Sequence, residues 1–281
     1  AVSLANNHIM DYGYGGAYDT IKILERENIN WFGLDNRDHR IDIEGQRVSF
    51  SGFCCYSTNG TYYGRDKGIN TLTYNNVEQQ LKKDKKDNYF SCLSLHWGME
   101  HTNYPAYEHI QMIHQLLSDN DAIVAGHHPH VIQGIESYRN SLIAYSLGNA
   151  VFDTCISRNG KLRVDLNEDN RKGFIFVVDL QNNSIKDFSV VGFYISENGI
   201  QEYNIKPYLE EISNKILDIN SVEEYEKMRL EQFHKVIENK FGKHDLRWVM
   251  SRLNYYAIGA KIMGKMRQKK YRKEMAKFIH G

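Results

Sequence analysis

The chain has 281 residues, of which 41% are hydrophobic and 25% charged, and its 35 basic and 35 acidic side chains cancel to a formal net charge of zero. Those proportions fit a globular protein with one substantial core and a smaller appendage, and they exclude disordered, fibrous and collagen-like classes. No apolar run approaches the roughly 20 residues of a membrane-spanning helix, and Cys54, Cys55, Cys92 and Cys155 form neither a C-x-x-C pair nor a regular spacing, which excludes a zinc ribbon and a disulfide framework in favour of buried thiols.

In chain order, "AVSLA" predicts a buried strand over residues 1–5 that runs directly into the polar turn Asn6-Asn7-His8. "GGAYDTIKILEREN" carries apolar residues at helical spacing, Ala17, Ile21 and Leu24, and "INWFGL" returns to strand character. "RIDIEGQRVSFSGFCCYS" alternates around Glu44-Gly45 as a hairpin does. "NNVEQQLKKDKKDN" reads as a charged helix with solvated lysines. "YFSCLSL" follows as a buried strand, "PAYEHIQMIHQLLSDN" as a helix opened by Pro105, and "DAIVAG" as the next strand. Within that helix, His109 and His114 read as a packing or solvated pair. "VIQGIESYRNSLIAYSL" predicts two strands turning at Arg139-Asn140, and "GFIFVVDLQNNSIKDFSVVGFYI" two more turning at Asn182-Asn183.

From about Pro207 the composition becomes helical and charged, with Val249, Leu253, Tyr256, Ala260 and Met263 recurring at three- and four-residue steps. Between Lys243 and Lys277 there are eleven Lys or Arg against only Asp245 and Glu274, so the end of the chain is basic and the remainder acidic. The expected organisation is an α/β domain over 1–205 and a basic helical extension over 206–281.

Four polar clusters each follow an apolar strand: Asn6-Asn7-His8, His96-Trp97-Gly98, His127-His128-Pro129-His130 and Gly148-Asn149. In a sheet with helical crossovers the loops beyond the strand ends converge on one crevice, which brings such distant groups together. Taken singly, Asn6-Asn7 is an ordinary turn and His96 an ordinary core histidine. Three imidazoles in four residues at a strand end are a poor choice for packing and point to a metal. Imidazole nitrogen and amide oxygen suit Zn, Mn or Fe better than Ca or Mg. Two such ions about 4 Å apart serve phosphoryl hydrolysis.

The runs "SLANNHIMDYG", "LHWGMEH", "GHHPHVIQGIE" and "IAYSLGNAVFD", in this order, resemble the bacterial capsule-biosynthesis CapA family, also called poly-γ-glutamate synthesis proteins. The resemblance covers residues 1–153 and continues more loosely to 195. It implies a calcineurin-like metallophosphoesterase sandwich of two mixed sheets flanked by helices. It further implies Asn7, His96, His128 and His130 as ligands of divalent transition metals, two Mn, Zn or Fe ions in the full-length protein. His8 meets the substrate phosphate or leaving group, and His127 stands where the family usually has Gly, which leaves the register of His127 and His128 open. Glu100 and Asn149 belong to the pattern as residues near the metal or substrate. The family also has an upstream strand ending in Gly-Asp and an Asn-Leu-Glu element that supply carboxylates; neither occurs in this sequence, so the expectation is an N-terminally incomplete sandwich lacking the carboxylate ligands.

Two functions follow as expectations. One is a metal-dependent phosphoesterase-type hydrolase in capsular polysaccharide or poly-γ-glutamate production, acting on an anionic or phosphorylated polymer. The other is a non-catalytic capsule-assembly component whose basic C-terminal helix contacts a membrane surface or anionic polymer. Both place the protein at the bacterial cell envelope or membrane periphery rather than free in the cytoplasm. "KMRQKKYRKEMAK" has no accompanying recognition motif, and no nucleic-acid partner is expected.

Overall fold

A computed structural model describes residues 1–55, 68–152, 154–156, 163–164 and 166–241, together with the single positions 262, 266, 269 and 273. The chain opens with β1 (Val2–Ser3), crosses through α1 (Gly13–Arg26) and returns as β2 (Trp31–Phe32), which pairs parallel to β1. The expected five-residue strand is a two-residue ladder. Its remaining apolar residues, Leu4 and Ala5, instead pack with Ala17 and Ile21 of α1 and with Trp31 and Leu34.

The main sheet begins with the hairpin β3 (His39–Ile43) and β4 (Gln46–Cys54). Its turn falls at Glu44-Gly45, both at positive φ, the geometry that matches the twist of a two-residue hairpin. Helix α2 (Tyr74–Lys86) starts where the Thr73 hydroxyl accepts from the Asn76 N–H at 3.2 Å. Its charged face is less solvated than its composition suggests. Asp84 is fully buried and accepts from Arg40 at 3.2 Å and Ser91 at 3.0 Å, and Lys83 reaches Asp38 at 2.7 Å.

Strand β5 (Phe90–His96), helix α3 (Tyr107–Leu116) and strand β6 (Ala122–His127) follow, then the hairpin β7 (Ile135–Tyr138) and β8 (Ser141–Ala144). The six strands lie in the order β3-β4-β5-β6-β8-β7, parallel from β4 through β8, with β3 and β7 as antiparallel edges. Alternation along the strands divides the two faces. Leu93, Leu95, Val124 and Ile143 pack under Val77 and Leu81 of α2 and Ile110 and Ile113 of α3. Each such buried aliphatic side chain contributes about 2 kcal/mol.

Beyond the short antiparallel pair β9 (Cys155–Ile156) and β10 (Arg163–Val164), the second layer is the antiparallel meander β11 (Lys172–Gln181), β12 (Ser184–Ser196) and β13 (Gly199–Glu202). It turns at Asn182-Asn183 as expected, both residues at positive φ. Phe174, Phe176 and Phe193 of this layer and Val48, Phe50, Cys92, Ile123 and Ala125 of the main sheet line an apolar cleft of about 530 Å³. The architecture is an α/β sandwich with flanking helices.

Helices α4 (Lys206–Leu217) and α5 (Val222–Phe241) share this core. Ile216 and Tyr225 lie in the cluster under α2 and α3, and Leu209 packs with Ile132 and Phe174. The 249–263 stripe and the basic run of 243–277 lie, but for four isolated positions, outside the described residues. Among the described residues no helix is long and apolar enough to cross a membrane.

Candidate metal centre

Strands β5 and β6 run parallel and end side by side, with His96 in register with His127. Their carboxyl ends therefore present successive imidazoles at one edge of the sheet, where the turn after β1 and the loop after β8 also arrive. Only a glycine fits at position 126 of β6: a Cβ there would run into the carbonyl of Tyr145, just after β8, and lie 2.8 Å from Nε1 of Trp97.

The two asparagines after β1 have different tasks. The Asn6 side chain accepts from the His8 N–H at 2.9 Å and so shapes the turn. Asn7 is buried, and its Oδ1 lies 3.0 Å from Nε2 of His96, whose N–H donates to it. His8 turns outward, 64% exposed, with Nδ1 2.9 Å from Oδ2 of Asp11.

His128 brings its ring to within 4.8 Å of the His96 ring, and the His130 ring lies 6.3 Å beyond. Both residues have left-handed backbones, φ 97° for His128 and 59° for His130, a conformation that costs a non-glycine residue on the order of 1 kcal/mol. Burial, with the neighbouring imidazoles His128, His127, His130 and His8 adding repulsion, pushes His96 down to about 2. His128 is pushed down to about 4, chiefly by burial, with the Glu100 carboxylate opposing the shift. Both imidazoles are therefore neutral near pH 7, the state in which nitrogen offers a lone pair to a metal.

His127 takes another course. It lines the apolar cleft between the sheets with Cys92, Ala125 and Phe174, and burial pushes it down to about 4. Asn149 Oδ1 faces Nδ1 of His130 at 2.9 Å. Glu100, half exposed, reaches within 3.8 Å of Nε2 of His101.

Two further residues join the cluster, His101, which beside Glu100 reads from the sequence as a residue near the metal or in solvent, and Asn170, which the sequence does not single out. His101 is buried, with its ring 6.4 Å from that of His130. Asn170, in the turn before β11, donates to the His130 carbonyl at 2.7 Å and lies 3.2 Å from Nδ1 of His101. "LHWGMEH" holds His101 in plain view, but Asn170 sits in a polar turn with no pattern to single it out.

The donors fit a borderline transition metal in kind, being neutral imidazoles and an amide oxygen gathered at a desolvated edge. Among the described residues no three His, Cys, Asp or Glu side chains are grouped to hold an ion.

Residues 1–154 match the protein family described as bacterial capsule synthesis protein PGA_cap. The chain is 31% identical over 163 residues to capsule biosynthesis protein CapA of Bacillus anthracis, covering 54% of this chain and 40% of that protein. It is 26% identical over 211 residues to PGA biosynthesis protein CapA of Bacillus subtilis (strain 168), covering 72% and 49% respectively. The chain thus spans less than half the length of either relative. Among solved structures it is similar to a putative 5'-nucleotidase from Staphylococcus aureus in complex with alpha-ketoglutarate, with a TM-score of 0.45, 14% identity and coverage of 76% of this chain and 41% of that one.

Proposed function

Since the chain belongs to the PGA_cap family of bacterial capsule synthesis proteins, we propose that it serves capsule or poly-γ-glutamate production at the cell envelope through a metal-dependent phosphoesterase-type centre. The observation that carries this reading is the meeting of Asn7 Oδ1 and His96 Nε2 at 3.0 Å beside the His128 ring, from segments 89 residues apart.

Asn7, His96, His128 and His130 are the residues that would hold Mn, Zn or Fe. A bound ion would supply Lewis-acid polarisation of a phosphoryl oxygen and activation of water, work that a second ion would share. For Nε2 of His96 to become a ligand, its proton must move to Nδ1, a tautomer change that leaves the net charge of the ring unaltered. His8 stands exposed beside this edge, where it anchors a substrate phosphate or protonates the leaving oxygen, with Asp11 holding Nδ1. Glu100 biases the electrostatics of His128. The substrate class is an anionic or phosphorylated polymer linkage.

The second reading is a non-catalytic assembly component that docks on a membrane surface or anionic polymer through the basic run of 243–277. The small donor set among the described residues favours it. Purified protein titrated with Mn²⁺ and Zn²⁺ by calorimetry, and then assayed on bis-p-nitrophenyl phosphate, tests the choice. Stoichiometric uptake with turnover supports the hydrolase. Absence of uptake, together with sedimentation on anionic vesicles that is lost without 243–281, overturns it in favour of assembly.

A further inference from the structure

We propose that Asn149 is a positioning residue that locks His130 as its Nδ1–H tautomer, and that Asn170 locks the neighbouring His101 as the opposite one. The argument is one of donors and acceptors. The Asn149 amide nitrogen donates to two carbonyls, Asn170 O at 2.9 Å and His130 O at 3.3 Å. With the amide reversed, its oxygen would face two carbonyl oxygens at those distances, so the orientation is fixed. Oδ1 is thereby turned to Nδ1 of His130 at 2.9 Å, and an amide oxygen only accepts. The proton of the neutral ring is therefore on Nδ1, and Nε2 keeps the lone pair.

The same reasoning gives the second ring the other proton position. Asn170 Nδ2 has two hydrogens and two neighbours, His130 O at 2.7 Å and His101 Nδ1 at 3.2 Å. It donates to both, so His101 Nδ1 accepts and the His101 proton sits on Nε2, on the side of Glu100 at 3.8 Å. The Asn170 amide is fixed too, since reversed it would set its oxygen against the His130 carbonyl at 2.7 Å, and the Asn170 backbone N–H is held by Asn167 Oδ1 at 2.8 Å. Two amide donors thus converge on the His130 carbonyl and hold that residue in its left-handed conformation.

The purpose of the lock rests on the proposed metal role of His130: a ring held with a lone pair on Nε2 binds an ion without first shifting its proton, an arrangement whose loss typically costs tenfold to a hundredfold in affinity, about 1.4–2.7 kcal/mol. The test is long-range ¹H–¹⁵N correlation spectroscopy of the histidine rings in metal-free protein at pH 7.5, with His130 and His101 assigned by the signals lost on His130→Gln and His101→Gln.

The wild type is expected to show the Nδ1–H pattern for His130 and the Nε2–H pattern for His101. Asn149→Ala moves His130 alone to a tautomer mixture. Asn149→Asp keeps an accepting oxygen but sets its second carboxylate oxygen against the two carbonyls, so it is expected to lower thermal stability further, and the wild-type pattern by itself keeps the test open should the alanine variant not fold. An Nε2–H pattern for His130 in the wild type, or a pattern unmoved by Asn149→Ala, overturns the proposal. Zn²⁺ titration of the same proteins separates it from the metal reading. A lost tautomer with about tenfold weaker Zn²⁺ binding supports both, and a lost tautomer with unchanged Zn²⁺ binding leaves the lock standing while overturning His130 as a ligand.

Discussion

Asn7 and His96 share a 3.0 Å contact across 89 residues of chain, joining the turn after the first strand to the end of a central one. Since Asn7 is buried and aimed at the imidazole, its removal affects ion uptake more than folding. Asn7→Ala is expected to weaken Mn²⁺ or Zn²⁺ binding by tenfold or more and to leave cooperative unfolding in place, as measured by calorimetric titration and circular dichroism. Equal affinity in the variant would remove Asn7 from the ligand set.

The His128→Ala, His130→Ala double variant is expected to lose at least one bound transition metal while unfolding as one cooperative transition. Both residues sit in a loop with left-handed backbones and give little to the core. Elemental analysis after gel filtration reads the metal content. Unchanged content contradicts the assignment.

His8 should behave differently. It is 64% exposed and held by Asp11, so His8→Ala is expected to reduce hydrolysis of bis-p-nitrophenyl phosphate by about a hundredfold with metal content nearly unchanged. If metal and activity fall in proportion, His8 is a ligand and the roles of Asn7 and His8 exchange.

His109 predicts an acid sensitivity separate from the metal. It stacks on Trp97 at 5.0 Å, and burial pushes it down to about 3 from an ordinary 6.5. Below pH 6.5 the unfolded chain binds this proton and the folded chain does not. Stability from this group is therefore full above pH 6.5 and is lost, at up to about 1.4 kcal/mol per pH unit, as the pH falls toward 3. His109→Phe keeps a ring against Trp97 and removes the titration, so urea midpoints measured from pH 7 to 4.5 should fall less steeply than in the wild type. Parallel slopes would assign the acid sensitivity to other groups.

Gly126→Ala is expected to destabilise the protein by about 3 kcal/mol or more, because its Cβ meets the Tyr145 backbone rather than a movable side chain end. Chemical denaturation measures it. A loss under 1 kcal/mol would mean that β6 and the segment after β8 separate easily.

Much of the sandwich is legible in the sequence because its strands are short apolar runs punctuated by turn residues. Glu44-Gly45, Arg139-Asn140 and Asn182-Asn183 all fall at turns, and the four histidine and asparagine clusters fall at or a few residues beyond strand ends. What pattern cannot supply is which neighbour in a polar pair faces inward. Asn6 and Asn7 are the same residue type, and only the fold makes one a turn former and the other a partner of His96. His127 and His128 part in the same way, since the pleat sends one into the cleft and the left-handed backbone carries the other to the His96 ring. The first strand is shorter than its apolar run because its ladder with β2 spans two residues, while Leu4 and Ala5 beyond it are buried among Ala17 and Ile21 of α1, Trp31 and Leu34. Asn170 acts through backbone carbonyls, for which sequence carries no signal.

The parallel run from β4 to β8 also sets the order in which the molecule can assemble. Each parallel ladder closes only after an intervening crossover has formed, and His96 and His127 become neighbours only when β5 and β6 are zipped to their last residues. Contacts of this sequence separation form slowly, on a scale of milliseconds to seconds, because the chain must be looped before they return any free energy. In a refolding experiment the imidazole cluster is therefore a late clock. A metal ion added at time zero should leave the early helical phases unchanged and slow unfolding instead, since it can recognise only a chain whose strands have already met.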